Sequence, residues 1–190
     1  VTGVQTCALP IFNASFYRRF FAGLSPSQCN ALILGDGTAG GENQSLAFVE
    51  RMGVSSFSMV RIPPSPLFRT FPPVLHIYLL KLFGRFSDQH KIMGYSITYG
   101  EIFKKMPREK IPNLIVACGR TTAPLSWALK EYITKRYGGT KSCNIQIQHP
   151  RTPYHYFDMI IAPAHDYSSV HIFQPSYGEN VLLIPGSLHR

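Results

Sequence analysis

The sequence is poor in charge, and poorest in acid: 15% of its 190 residues are charged, only 10 are Asp or Glu, and there is a single Trp. A disordered chain combines strong charge with few apolar groups, so a 45% hydrophobic content excludes one and supplies material for a packed core. One substantial domain is the ceiling at this length. The four cysteines, at positions 7, 29, 118 and 143, form no CxxC pair and no dense cluster, which excludes a zinc ribbon and a disulfide scaffold and favours a reducing compartment. No apolar run reaches the roughly 20 residues that span a bilayer. The longest, over residues 72–83, is broken by prolines, His76 and Lys81, so no transmembrane segment is expected. Internal repeats and low-complexity tracts are missing as well.

What is present in excess is base. Lys and Arg number 19, giving a formal charge of +9 and a preference for anionic partners such as phosphate groups, nucleic acid or acidic lipid. The charge is uneven, with nets of −1 over residues 1–50, +7 over 51–110 and +3 over 111–190. The basic middle holds the prolines Pro63, Pro64, Pro66, Pro72 and Pro73, followed by Leu75, Tyr78, Leu79 and Leu82 at helical spacing. This predicts an amphipathic helix entered through a proline-rich loop. Its stripe is expected to pack on the core and leave Lys81, Arg85 and Lys91 in water. A membrane-surface role is the alternative, with Arg85, Lys91, Lys104 and Lys105 as its candidate residues.

Both ends stand apart from the rest. Residues 1–11 back-translate in frame to a short-read sequencing adapter and are set aside from the fold argument; residues 12–29 are a poorly defined leader. The chain stops soon after a strand-like run at 181–184, so a C-terminal second domain is expected beyond it. Between these limits residues 30–190 read as one domain, with a basic, Pro- and aromatic-rich region at 54–111.

The flanks alternate strand and helix. Residues 31–34 are a short apolar run ending at a glycine loop, residues 43–52 carry Leu46, Val49 and Met52 on a helical face before Gly53, and residues 57–62 suit a second strand. Residues 114–118 repeat the pattern. Thr121 or Thr122 can cap the helix that follows, Pro124 lies in its first turn, and Leu125, Leu129, Tyr132 and Ile133 share one face. Lys135 and Arg136 suit its C-terminal dipole, and Gly138 and Gly139 its stop. Residues 143–148, 158–162 and 181–184 are further strands, and apolar runs between helices favour a parallel sheet covered on both faces. The expected fold is α/β, a Rossmann-like, doubly wound, mostly parallel sheet.

In such sheets ligands sit outside the carboxyl ends of the strands. After the first strand comes Gly35-Asp36-Gly37-Thr38-Ala39-Gly40, a GxGxxG whose glycines let backbone approach a phosphate, or which simply make a tight turn. Glu42, Asn43, Gln44 and Ser45 then place four polar side chains in the first helical turn. Where a dinucleotide site wants an acidic residue after the second strand, Arg61 stands, which suits a 2′-phosphate or no dinucleotide. Later strands end in Gly119-Arg120, in Gln148-His149-Pro150-Arg151 and in His165-Asp166. Arg120 and Arg151 can clamp a phosphate, and His149 or His165 can move a proton; the same residues can equally serve turns and ion pairs. The phosphate- or ligand-binding candidates are thus Gly35, Gly37, Gly40, Asn43, Gln44, Gly119, Arg120, Gln148, His149, Arg151, His165 and Asp166. No metal is expected, since His149, His165 and His189 lack ligand spacing. Neither a nucleophile elbow nor a Cys-His signature is present.

Several segments together carry a resemblance. These are residues 33–37 with 41–45, Val116-Ala-Cys-Gly-Arg120, Gln146-Ile-Gln-His-Pro-Arg151, residues 157–161 with His165-Asp-Tyr167, and residues 181–189. In order and spacing the set resembles the plant-type mitochondrial fission factors of the elongated-mitochondria family, closely over 31–53 and 112–190. The resemblance implies a peripheral protein on the cytosolic face of the mitochondrial outer membrane that recruits a dynamin-related GTPase in mitochondrial and peroxisome fission. Implied partners are that GTPase and an anionic membrane surface, with no nucleic acid. Bacterial relatives are regarded as glycosyltransferases, and the architecture resembles the N-terminal half of the two-domain glycosyltransferase B fold, whose other half usually holds the nucleotide-sugar donor. The alternative function is therefore a glycosyltransferase-like enzyme lacking its donor domain here. No catalytic residue is carried over. No cofactor is expected for this chain, and a nucleotide sugar only for the intact protein.

Overall fold

The computed structural model describes residues 25–104, 111–138, 142–168 and 180–188. Its strands are β1 (Asn30–Gly35), β2 (Ser56–Arg61), β3 (Leu114–Cys118), β4 (Cys143–Ile147), β5 (Met159–Pro163) and β6 (Val181–Ile184). They form one six-stranded sheet in the order β2-β1-β3-β4-β5-β6, with every pairing parallel. Leu32 lies beside Ser58 on one neighbour and Ile115 on the other. The central strands β1, β3, β4 and β5 are buried along their whole length, the burial that makes their sequences continuous apolar runs. The doubly wound, Rossmann-like expectation is met, with the chain moving outward to β2 and then reversing past β1 to β3.

Side chains alternate across each strand and divide the core in two. One side gathers Leu32, Leu34, Ile115, Ala117 and Ile160 under the helices α3 (Pro73–Phe83), α4 (Tyr99–Lys104) and α5 (Ala123–Tyr137). The other gathers Ala31, Ile33, Val116, Ile145 and Ile161, with Phe48, Val49 and Met52 from α1 (Ala39–Arg51). Two short helices complete the set, α2 (Pro66–Thr70) and α6 (His165–Ser168).

The helix after β1 begins at Ala39, four residues before the expected start at 43. Gly40 and Gly41 therefore lie inside it; a Cβ at Gly41 would press on Thr38 Oγ1 at 3.0 Å and only touch Cys118 Sγ, at 3.6 Å. Its far end is as expected. Gly53, at φ +73°, donates to the Glu50 carbonyl while Val54 donates to that of Val49, a Schellman-type stop. Thr122 occupies the N-cap position of α5, but its hydroxyl donates back to the Cys118 carbonyl at 2.8 Å instead of capping a helical N–H. Leu125, Leu129, Tyr132 and Ile133 are buried as expected, and Gly138 ends the helix at φ +31°. Gly139 falls outside the described residues.

The middle third corrects the reading of its helix. α3 spans Pro73–Phe83, yet its buried residues are Pro73, His76, Ile77 and Leu80. Leu75, Tyr78 and Leu82 point away from the core and Leu79 is half-buried. The helix is apolar nearly all round, so spacing alone selects either face. What fixes the choice is His76, wedged between the rings of Phe68 and Tyr95 at 4.6 and 5.3 Å, with Nε2 donating to the Met93 carbonyl at 2.8 Å. Gly94, at φ +86°, makes room for it: a Cβ there would lie 2.6 Å from His76 Nε2.

Strand β4 is polar on its α5 side, which its apolar residues concealed. Asn144 and Gln146 are fully buried. Ser126 donates to Asn144 Oδ1 at 2.5 Å, Gln146 Nε2 donates to the Gly119 carbonyl at 2.9 Å, and Asp158 accepts from both the Asn144 amide and Lys130. Each amide is bonded through one atom, while Asn144 Nδ2 and Gln146 Oε1 are buried with no partner among the described residues, so little freedom remains in what can pack against them.

Candidate functional site

Because all strands run the same way, the loops following β1, β3, β4 and β5 emerge on one edge, at the point where the chain reverses direction across the sheet. The loops are tied together there. Asp36, directly after β1, accepts from the Thr38 amide at 2.9 Å, the Thr38 hydroxyl at 2.6 Å and the Thr121 hydroxyl of the β3 loop at 2.5 Å. Burial raises the Asp36 carboxyl, but the three donors outweigh it and hold the group below its ordinary value. Neither Asp36 nor Thr121 stood among the expected ligand residues. An Asp before Gly and two residues before Thr is the sequence signal of such an Asx turn.

The first helical turn is closed by an ion pair. Arg61, at the end of β2, holds Glu42 with Nε at 2.8 and 3.0 Å from its two oxygens and Nη2 at 2.8 Å. Glu42 lies over Gly35, where an added Cβ would meet Oε1 at 2.6 Å. Gly35 thus makes room for a carboxylate, and Arg61 is engaged by it. Gly37, at φ +90°, and Gly40 face open space. Asn43 is exposed, and the Oε1 of Gln44 is buried with no partner among the described residues.

Beyond β3 the loops meet again. Gly119, at φ +82°, donates to the Ile147 carbonyl, and a side chain there would approach Gln148 Oε1 at 3.6 Å. Gln148 and Arg151 are the non-glycine residues with left-handed backbone among those described, at φ 67° and 54°, an uncommon conformation concentrated in one short loop. His149 fixes that loop. Its Nδ1 accepts from the Arg151 amide at 2.9 Å, so Nε2 carries the proton and donates to the Tyr154 hydroxyl at 3.1 Å. Burial, then the neighbouring Arg151, push the imidazole below its ordinary value, with Asp166 opposing. A neutral ring engaged at both nitrogens holds the turn and must let go of one partner before it can move a proton.

Burial, then Asp36 and Asp166, push the Cys118 thiol at the tip of β3 up to about 12. The thiol stays protonated and unreactive at neutral pH. His165 is exposed, with Nε2 3.5 Å from its neighbour Asp166. The guanidinium groups of Arg120 and Arg151 are exposed and have no carboxylate partner among the described residues. Arg120 borders a shallow hollow walled by Pro64, Phe68, Phe71 and Pro124, with Arg69 also on its rim. Gly119, Arg120, Gln148, His149, Arg151 and Asp166 thus share the centre of the edge, Gly35, Gly37, Asn43 and Gln44 flank it at α1, and no cluster among the described residues could hold a metal.

The membrane-surface candidates lie elsewhere. Arg85, Lys91 and Lys104 are exposed around α3 and α4; Lys105 is outside the described residues. No described helix is long and apolar enough to cross a membrane.

These features define a doubly wound α/β protein with a polar, partly cationic carboxyl edge and a basic, aromatic insertion beside it. A family model described as Mitochondrial fission ELM1 matches residues 39–190, and the chain belongs to that family. It is 26% identical over 170 residues to the Arabidopsis thaliana protein named Mitochondrial fission protein ELM1, covering 72% of this chain and 39% of that protein. It is also 39% identical over 67 residues to an uncharacterized protein, RP120, of Rickettsia prowazekii, covering 35% of this chain and 16% of that one. The chain therefore spans less than half the length of these curated relatives. No solved structure matches it.

Proposed function

We propose that this chain is the N-terminal, Rossmann-like part of a mitochondrial fission factor that lies peripherally on the cytosolic face of the outer membrane and recruits a dynamin-related GTPase. Family membership across residues 39–190 carries the reading. The exposed Arg85, Lys91 and Lys104 support the membrane contact, since each base near an anionic surface contributes about 1 kcal/mol and several act together. The test is cellular. The intact protein tagged at its C-terminus should coat mitochondria, and its depletion should leave them elongated. Charge reversal of Arg85, Lys91, Lys104 and Lys105 should release it to the cytosol. Secretory or diffuse signal with mitochondria of normal shape would refute the proposal.

A second reading has its own support in the left-handed backbone of Gln148 and Arg151 and the exposed side chains of Arg120 and Arg151. In it the edge faces a second, C-terminal domain across a cleft, as in the glycosyltransferase B fold, and contacts a phosphorylated sugar. Titration calorimetry of the intact protein with nucleotide sugars separates the readings: heat that is lost in Arg120→Ala favours the enzyme, and none with any sugar nucleotide removes it.

A further inference from the structure

We propose that the outward face of α3, with the adjoining turn of α2, inserts its side chains into the headgroup layer of an anionic bilayer. The inference rests on the peripheral-membrane reading above and adds burial of apolar groups to charge as the source of adhesion. Seven large apolar residues are exposed among those described; four of them, Leu75, Tyr78, Leu82 and Phe83, belong to α3, and a fifth, Leu67, belongs to α2, whose Phe68 packs on His76 of α3. Leu82 is 74% exposed, and Leu67 and Phe83 are 63% exposed. Single exposed leucines are ordinary, but a cluster of this kind marks a contact surface. Spacing of i, i+3 and i+7 aligns Leu75, Tyr78 and Leu82 along one side of the helix. The one charged side chain in α3, Lys81, turns aside to the Tyr156 hydroxyl at 2.9 Å and the Trp127 ring, so it does not interrupt the stripe.

Charge complementarity selects the occupant. Arg69 precedes α3, Arg85 follows it, and both are exposed. The acids within residues 66–104 are Asp88 and Glu101, and both are engaged, Asp88 by Tyr132 and Arg136 and Glu101 by the Thr98 amide. An aliphatic stripe with a Tyr, rimmed by bases and no free acid, is the composition of a helix lying in a membrane interface.

The experiment uses the full-length protein with Tyr78→Trp as reporter, its emission read as the difference from the unsubstituted protein, in which Trp127 is 7% exposed. With phosphatidylcholine vesicles containing phosphatidylserine, its emission should shift to the blue, brominated acyl chains should quench it, and sedimentation with vesicles should survive molar salt. The double substitution Leu75→Ser and Leu82→Ser should lower the bound fraction at least about tenfold while thermal midpoint and far-ultraviolet dichroism stay unchanged. Binding that salt releases completely and the double variant leaves intact would overturn the insertion while the charge-based peripheral reading stands. No binding to any vesicle would overturn the insertion and the membrane contact together. Tyr78→Trp emission that is already blue-shifted and shielded from soluble iodide without vesicles would show the face covered by the remainder of the protein and also overturn the inference.

Discussion

Helices α3 and α5 pack against each other on one side of the sheet, and both are rich in apolar side chains, yet they use them differently. α5 sits directly on β3 and β4 with α3 and the Tyr99 ring beside it, so every residue from Ala123 to Leu129 is buried. Tyr132 stacks on Tyr99 at 4.6 Å with the planes 5° apart. α3 is one layer further out. It buries a narrow side through His76, Ile77 and Leu80 and presents an equally apolar side to the exterior. The difference teaches that apolar content in this protein has two destinations, the core and an outer contact surface, and that neighbours in space decide between them.

Substitutions at the two helices should break the symmetry sharply. Leu129→Ala, deep in α5, should lower unfolding free energy by about 2–5 kcal/mol in a denaturant titration, because a cavity opens between helix and sheet. Gly94→Ala should cost about 1–3 kcal/mol, since it forces a side chain into left-handed backbone and into His76 and Phe68, the seat of α3. Acid attacks the same seat more gently. Burial holds His76 below its ordinary value of 6.5, against a weaker opposing pull from the Met93 carbonyl. The unfolded chain therefore takes up this proton first, and stability should fall as pH drops below the ordinary value until the folded imidazole titrates too. Thermal midpoints of His76→Gln should fall less with acid than those of the parent; parallel profiles would remove His76 from the explanation. Smallest of all, Leu82→Ser on the outer side of α3 should stay within about 0.5 kcal/mol of the parent. A larger loss would mean that this side already packs on something.

Most of the sheet was legible because burial on both faces writes itself into sequence as short apolar runs. The runs at 114–118 and 181–184 coincide with β3 and β6, and the strand starting at Cys143 ends one residue early, at Ile147. The start of α1 was not legible, because Gly40 and Gly41 read as loop; a Cβ at Gly41 would press on Thr38 Oγ1 at 3.0 Å, while Gly40 faces open space. Which side of α3 is buried also lay beyond reach, since both satisfy the same periodicity. At the carboxyl edge, residue types at strand ends identified His149, Arg151 and Asp166 as neighbours. The ties that organise the edge, Asp36 to Thr121 and Glu42 to Arg61, join positions 85 and 19 residues apart, and no local pattern announces such pairs.

The polar side of β4 has a consequence for how the chain finds its fold. A slip of β4 by one residue would turn Asn144 and Gln146 toward the side where Met159 and Ile161 pack, away from Ser126 and the Gly119 carbonyl. A strand of five aliphatic residues could tolerate such a shift between its equally apolar neighbours β3 and β5. With two amides that find partners on one side alone, β4 carries its own alignment mark, and mispaired sheets are penalised before the outer helices close over them.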